Sequence, residues 1–393
     1  MRCPMPDLNP LFLPGMWCSG SCRMPGHNSF NRISPLNASP IRWNYSMKRL
    51  TNSSLRESIL RWVVAACWVY LTFFALWLLL YLLTGDAIGW VGLVSALAVY
   101  LFLPLPVVAF VAWRTSRREL WAGVLVGVVC FMSIWGVDFL PKFPRASEKI
   151  TLRVLTYNVL GLEKTSTPML EVLRNANADI VCLQELTPEL AADIRTQLQG
   201  KYPFQYLEPA DIVFGAGVLS KVALTPQVHS LGQGWIGRPQ ALRGVFDEHR
   251  FLLVNFHMPA FNLQNIRTIN QGFRVREDLA RALGRYVQAQ GLPAIVCGDA
   301  NSAPLSTAYR ILRQSGLQDS WREAGWGFGH TFPGSARPGS SRPRIFGIAM
   351  PMWSTRIDYV LHTPEWQAIQ VQTAPFDGVS DHRGVLATLV WRH

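Results

Sequence analysis

Residues 295–304 read IVCGDANSAP. An apolar run stops at Gly298 and hands over to a carboxylate and an amide two residues apart, Asp299 and Asn301. A turn accepts both residue types, because Asp and Asn bond to their own backbone. A strand end that delivers them to a reacting site accepts them as well, and the rest of the chain has to decide between the two.

The same boundary recurs. Ile150, Leu152, Val154 and Thr156 alternate with Thr151, Arg153, Leu155 and Tyr157 in a run that stops at Asn158, the two-residue period of a strand. Residues 180–183 form a short apolar run ending at Gln184 and Glu185, residues 251–256 end at His257, and residues 357–361 start just after Arg356. Between these, Leu190, Ile194 and Leu198, and then Val275, Leu279, Leu283 and Val287, recur every four residues; the second set closes at Gly291. That spacing predicts two amphipathic helices. Strands and helices that mix without strict alternation predict a layered α+β or α/β domain with antiparallel pairs and helices covering the sheets.

Ahead of this domain the composition changes. The 393 residues are 49% hydrophobic with a net charge of +12, of which +7 falls in residues 1–148 and +5 in residues 149–393. The second part is only mildly basic, which permits an anionic substrate without demanding nucleic acid. Residues 62–83 are 22 positions without a charge, about 33 Å as a helix and enough to cross a hydrocarbon core. Residues 88–113, with Pro104 and Pro106, and residues 120–137 are two further apolar runs, so three transmembrane helices are expected in a membrane anchor over residues 58–140. Lys48, Arg49, Arg56 and Arg61 precede the first run, and Arg114, Arg117 and Arg118 follow the second. The excess of positive charge puts the N-terminus and that second loop in the cytoplasm and the catalytic domain on the far side, periplasmic or extracellular. Residues 1–57 are expected to form a disordered cytoplasmic N-terminus, with Met47 as an alternative natural start, and residues 141–149 a linker to a domain over 150–393. The seven cysteines show no CxxC pair, and Cys182 and Cys297, inside apolar runs, read as small core residues.

Collecting the polar groups at the ends of apolar runs gives Asn158, Glu185, His257, Asp299, Asn301, Asp358, Asp381 and His382. Any one alone reads more simply as a turn or cap residue. Together they point to one rim where strand ends converge. Glu185, Asp299 and Asp381 are hard oxygen donors with no thiolate among them, which suits Mg²⁺, Mn²⁺ or Ca²⁺ rather than zinc. Histidine moves protons near neutral pH, and the Asn158 and Asn301 amides donate hydrogen bonds to phosphate oxygens without adding charge. Hydrolysis of a phosphodiester needs all three: a cation against developing charge, a base for water, and fixed donors.

At these positions the chain resembles the endonuclease/exonuclease/phosphatase superfamily, the DNase I-like fold. The resemblance is carried, in order, by TYNV (156–159), LQE (183–185), GVLSK (217–221), NFH (255–257), GDAN (298–301), RIDYV (356–360) and SDH (380–382). It implies a four-layer α/β sandwich with the site on one edge. It further implies Glu185 as metal ligand with Asn158 beside it and Asp381 close by, His382 as general base, and Asp358 as the residue that holds its tautomer. His257 would protonate the leaving group or bind phosphate, and Asp299 with Asn301 would orient phosphate and water. Leu160 stands where several family nucleases carry an acid, which weakens a base-excision-type reading, and Ala300 replaces a larger apolar residue.

The resulting expectation is a membrane-anchored phosphoesterase dependent on Mg²⁺ or Mn²⁺, acting on nucleic acid or a phospholipid headgroup, with the lipid bilayer as neighbour and no obligate protein partner. The alternative is a non-catalytic receptor or scaffold that keeps the fold. Arg337, Arg342 and Arg344, in a Gly/Ser/Pro-rich loop, are candidates for a phosphate clamp or for plain solvated charge.

Overall fold

A computed structural model describes residues 46–142, 150–161, 167–334, 342, 344–345 and 347–392. Of the N-terminus expected to be disordered over residues 1–57, residues 1–45 lie outside the described residues, as do 143–149 of the expected linker and Arg337, whereas residues 46–57 are helical, continuing the helix of the apolar run that follows them. The chain divides into two compact units, Met1–Glu57 and Ser58–His393, and the architecture below belongs to the second.

The helical part comprises α1 (Ser46–Thr84), α2 (Gly89–Ala96), a 3-10 turn (Ala98–Phe102), α3 (Leu105–Thr115) and α4 (Arg118–Phe139). Three segments are long and apolar enough to cross a membrane: Ser54–Thr84, Ala98–Thr115 and Arg118–Phe139. The second differs from the sequence expectation. The apolar run of residues 88–113 breaks after α2, and Pro104 and Pro106 restart the chain at the head of α3, where proline is compatible with a first helical turn. The excluded piece, α2, lies against the folded domain instead.

The domain follows as β1 (Thr151–Asn158), α5 (Thr167–Asn175), β2 (Ile180–Gln184), α6 (Pro188–Gln197), β3 (Phe204–Glu208), β4 (Ala216–Ser220), β5 (Leu224–Pro226), β6 (Gln240–Phe246) and β7 (His249–His257). Then come α7 (Ile266–Gln290), β8 (Ala294–Asp299), α8 (Thr307–Gln314), β9 (Gln318–Asp319), α9 (Ser320–Ala324), the small hairpin β10 (Arg344–Ile345) and β11 (Ile348–Ala349), β12 (Asp358–His362), β13 (Trp366–Thr373) and β14 (Val385–Trp391). Two mixed six-stranded sheets result, in the orders β13-β14-β1-β2-β4-β3 and β5-β6-β7-β8-β12-β9.

Residue period explains the layers. On β1, Leu152 and Val154 point into a core shared with Phe251, Leu253, Ile295, Cys297 and Val360 of the second sheet. Leu155 and Tyr157, on the other face, join Leu173, Leu190 and Ile194 of α5 and α6. On the far side of the second sheet, Val254 and Val296 pack under Leu279, Leu283 and Leu312 of α7 and α8. The order helices, sheet, sheet, helices is the four-layer sandwich, and Cys182 and Cys297 lie in its central core.

Candidate active site

The strand ends meet at one rim, and the ladders set their positions. Asn158 closes β1 opposite Gln184 across a parallel pair, which puts Glu185 one step beyond. In the other sheet His257, Asp299 and Asp358 stand in register across β7, β8 and β12. Asp381 and His382 come from the segment just before β14. All eight residues singled out in the sequence converge here, while Arg342 and Arg344 donate to the carbonyls of Met350 and Gly347 in their own loop.

His382 Nδ1 lies 2.9 Å from Asp358 Oδ2, and its Nε2 faces Asp299 Oδ2 at 3.7 Å and Asp381 Oδ1 at 3.8 Å. Asn158 Nδ2 donates to Glu185 Oε1 (3.0 Å) and Asp299 Oδ2 (3.1 Å), and the Gly161 N–H donates to Glu185 Oε2 (2.9 Å). His257 Nε2 stands 3.5 Å from Asp299 Oδ2 and 3.9 Å from Glu185 Oε1. The Asn301 N–H donates to Asp299 Oδ1 at 2.8 Å, and its Nδ2 donates to the Met258 carbonyl at 2.9 Å. Asp299 is thus the hub of the cluster, touching an amide and both histidines.

Backbone strain gathers at the same place. Leu160 (φ 54°), Glu185 (φ 60°) and Asn301 (φ 45°) all adopt the left-handed region without being glycine. Each costs on the order of 1–3 kcal/mol, and such residues concentrate at functional sites. Gly161 is held by a close approach: a Cβ there would stand 1.5 Å from the Ile212 carbonyl oxygen. Gly161→Ala is therefore expected to displace the donor to Glu185 and weaken divalent-metal binding about tenfold, as loss of a ligand's outer partner does. Isothermal titration with Mn²⁺ checks this, and unchanged affinity would remove Gly161 from the site's support.

The sequence reading missed the supports behind these groups. Ser380 Oγ donates to the Asn158 carbonyl at 2.8 Å and accepts from the His382 N–H at 3.0 Å, tying the last loop to β1. Beneath the rim, Gln184 Nε2 donates to Asn255 Oδ1 at 2.7 Å, and Asn255 Nδ2 donates to the Leu183 carbonyl at 3.0 Å, so a buried amide pair stitches the two sheets. Both Ser380 and Asn255 sit inside the SDH and NFH motifs, but only the fold shows what they hold.

Burial and charge push the two histidines apart. Burial opposes a charge on His382, but the Asp358 and Asp299 carboxylates outweigh it and hold the imidazole well above its ordinary pKa. For His257, burial and the neighbouring His382 act in the same direction and lower it to about 3. Two like groups with opposite shifts are the signature of divided acid–base roles. Glu185, Asp299 and Asp381 are all raised by burial, Asp299 also by the Asp358 charge. Among the described residues no lysine or arginine forms an ion pair with these three carboxylates. A buried acidic cluster without a protein cation fits a divalent metal made for oxygen ligands. Ligand-capable atoms of Asp299, Asp358 and His382 also lie within 4.8 Å of one another, spacing that admits a metal ion.

A buried Asp/His cluster on the edge of a two-sheet sandwich defines a phosphoesterase fold, and the sequence agrees. The chain belongs to the endonuclease/exonuclease/phosphatase family, whose model matches residues 155–382. Members of that family are phosphodiesterases and nucleases, and the family is typically Mg²⁺-dependent. Among solved structures, a family protein from Bacteroides thetaiotaomicron is 18% identical over 63% of this chain and 100% of its own, with a TM-score of 0.45. TDP2 of D. rerio, solved with a single-strand DNA product, is 17% identical over 61% of this chain and 98% of its own, with a TM-score of 0.48. TDP2 of Caenorhabditis elegans is 20% identical over 61% of this chain and 98% of its own, with a TM-score of 0.45. No curated protein matches the chain.

Proposed function

We propose that the chain is a membrane-anchored, divalent-metal-dependent phosphodiesterase. One observation carries this reading: a buried imidazole held by a carboxylate, His382 on Asp358, faces a cluster of carboxylates and amides contributed by both sheets. Glu185, with Asn158 beside it and Asp381 nearby, would hold Mg²⁺ or Mn²⁺. The Asp299, Asp358 and His382 group is better read as the base and its neighbours, because His382 Nδ1 and Asp358 Oδ2 already occupy each other. A divalent ion held there would supply positive charge against the negative charge that develops on a phosphoryl oxygen.

The chain's own residues supply the rest. His382, with Nδ1–H donated to Asp358, keeps Nε2 free to take a proton from the attacking water. Neutral His257 suits hydrogen bonding to phosphate better than protonating the leaving group, because its proton is lost at low pH. Asn158 and Asn301 would orient phosphate oxygens by turning an amide hydrogen from the acceptors it now serves, Glu185 and Asp299 for Asn158 and the Met258 carbonyl for Asn301, towards the bound phosphate.

Residues 58–140 form the anchor in this reading, residues 1–57 its cytoplasmic N-terminus, 141–149 the linker and 150–393 the catalytic domain. Arg114, Arg117 and Arg118 lie at the α3–α4 turn, while the opposite helix ends meet the domain, where Tyr81 Oη donates to the Leu305 carbonyl and Gly327 N–H to that of Asp138. Positive charge at the end remote from the domain supports an extracytoplasmic site. Full-length protein in detergent micelles should hydrolyse bis-p-nitrophenyl phosphate with Mg²⁺ or Mn²⁺ and stop in excess EDTA. Turnover that survives EDTA removes the metal, and inertness under every condition leaves a receptor or scaffold. A reporter fused after Phe139 that is active only in the cytoplasm reverses the orientation.

A further inference from the structure

Helix α2 lies along the start of α7, in the same direction. A Cβ at Gly89 would meet Ile269 and Asn270, and one at Gly92 would meet Phe273, so only glycines permit this approach. The Gly89 N–H also donates to Asn270 Oδ1 at 2.6 Å. Ile266 lies one turn before Asn270 on α7, which places it near the start of α2 and so, through residues 85–88, near the end of α1. Ile266 is 52% exposed, and Leu263 before it is 53% exposed. Leu82 and Leu83, in the last turn of α1, are 70% and 72% exposed, and Trp90 of α2 is also open. At this end of α1 Arg310 lies 5.5 Å from the Tyr81 ring. An Arg and a Tyr at the end of a spanning helix match the headgroup boundary of a bilayer, and exposed apolar residues held near that end suit the same boundary.

The same segment is tied at its root to the site. His257 is followed by Met258, whose carbonyl accepts from Asn301 Nδ2 at 2.9 Å, and by Pro259, whose carbonyl accepts from buried Arg276 Nη1 at 3.0 Å. The Arg276 guanidinium also stacks 3.6 Å from the Phe261 ring. Five residues after His257 the chain reaches Asn262 and then Leu263.

We propose that residues 261–267, with α2 and the end of α1, form a bilayer-contacting surface that presents the site to phosphodiesters of lipids in the membrane that anchors the chain. This rests on the phosphodiesterase reading above and names its substrate class. Exposed apolar residues without function would be a liability at a water-facing surface, whereas here the start of α7 is tied through α2 to the end of the spanning α1. A membrane lipid needs no diffusional search by a site held at the headgroup level, because anchoring confines both to one surface.

The test uses full-length protein reconstituted into vesicles of phosphatidylethanolamine and phosphatidylglycerol, with Mn²⁺. Headgroup release from the vesicles is compared with hydrolysis of bis-p-nitrophenyl phosphate and of a single-stranded DNA oligonucleotide, for wild type and for the double variant Leu263→Asp, Ile266→Asp. Headgroup release should fall at least tenfold in the variant while bis-p-nitrophenyl phosphate turnover stays within twofold. Equal loss on both substrates, no loss on either, or wild type that cleaves bis-p-nitrophenyl phosphate but releases no headgroup overturns the lipid assignment. DNA cleavage faster than headgroup release and indifferent to the substitutions assigns the site to nucleic acid. Wild type inert towards all three substrates fails the phosphodiesterase reading itself, a result distinct from the others.

Discussion

His382→Ala is expected to lower kcat for bis-p-nitrophenyl phosphate by about 10²–10⁴-fold, the range for removing a positioned general base. KM should move much less, because the proposed mechanism gives phosphate binding to Asn158, Asn301 and His257 rather than to the base. His382→Gln keeps a polar side chain against Phe332, whose ring centroid is 4.9 Å from the imidazole, and separates loss of the base from loss of packing. The pH profile gives a sharper signature. A base acts only when neutral, so the rate should rise with pH through the His382 pKa. That pKa is pulled down by burial but held well up by Asp358 first and Asp299 next. Asp358→Asn removes the larger anionic neighbour, so the rising limb should move to lower pH while the plateau falls, because the imidazole loses its tautomer anchor. A limb that stays in place, or moves to higher pH, sinks the assignment of His382 and Asp358 as base and orienter. A near-normal rate in His382→Ala does the same.

Five strands, β1, β2, β7, β8 and β12, were legible because each is apolar and bounded by a polar residue, a pattern that local sequence carries. The site residues at those boundaries, Asn158, Glu185, His257, Asp299 and Asp358, could be picked out for the same reason. What hides from a linear reading is whatever depends on groups far apart in the chain. Ser380 supports Asn158 across 222 positions, and nothing near either residue announces it. The left-handed backbone of Leu160 and Glu185 is equally invisible, because these residue types, unlike Asn301, do not favour it and only the surrounding structure imposes it. The second apolar run was misjudged for a similar reason. Its first eight residues read as lipid-facing by composition, yet Gly89 and Gly92 let them pack on α7. Arg342 and Arg344 turned inward to their own loop, a choice that charge alone does not predict.

Arg356→Ala is expected to destabilise the domain by about 3–5 kcal/mol, the cost of leaving one member of a buried ion pair alone. Arg356 Nη2 and Nη1 reach Asp319 Oδ2 at 2.8 Å and Oδ1 at 3.1 Å, and both side chains are buried. Tyr309 Oη donates to Asp319 Oδ2 at 2.6 Å, the Trp321 N–H donates to Oδ1 at 2.9 Å, and the guanidinium stacks 4.8 Å from the Tyr359 ring. Cutting away the arginine removes two of the four bonds that Asp319 accepts and its one cationic partner, leaving a buried carboxylate with only Tyr309 and the Trp321 N–H. Thermal unfolding of the full chain in micelles should shift down by on the order of 10 °C. The pair also dictates a pH dependence. Burial raises the Asp319 pKa, but Arg356 and the hydrogen bonds overcome this and leave it below its ordinary value. A carboxyl held lower in the folded state contributes stability that is present above the unfolded pKa, about 3.9, and is lost as pH falls through the folded value. Asp319→Asn should accordingly be less stable than wild type at neutral pH, with the gap narrowing below about pH 4 as the wild-type carboxyl takes up its proton. Because Arg356 immediately precedes Ile357 and the first residue of β12, Asp358, the surviving folded fraction should also show a lowered kcat, as the base loses its fixed orienter. A gap that is flat with pH would mean that Asp319 is not the charged partner; full kcat in the folded fraction would mean that β12 holds Asp358 without help from this pair.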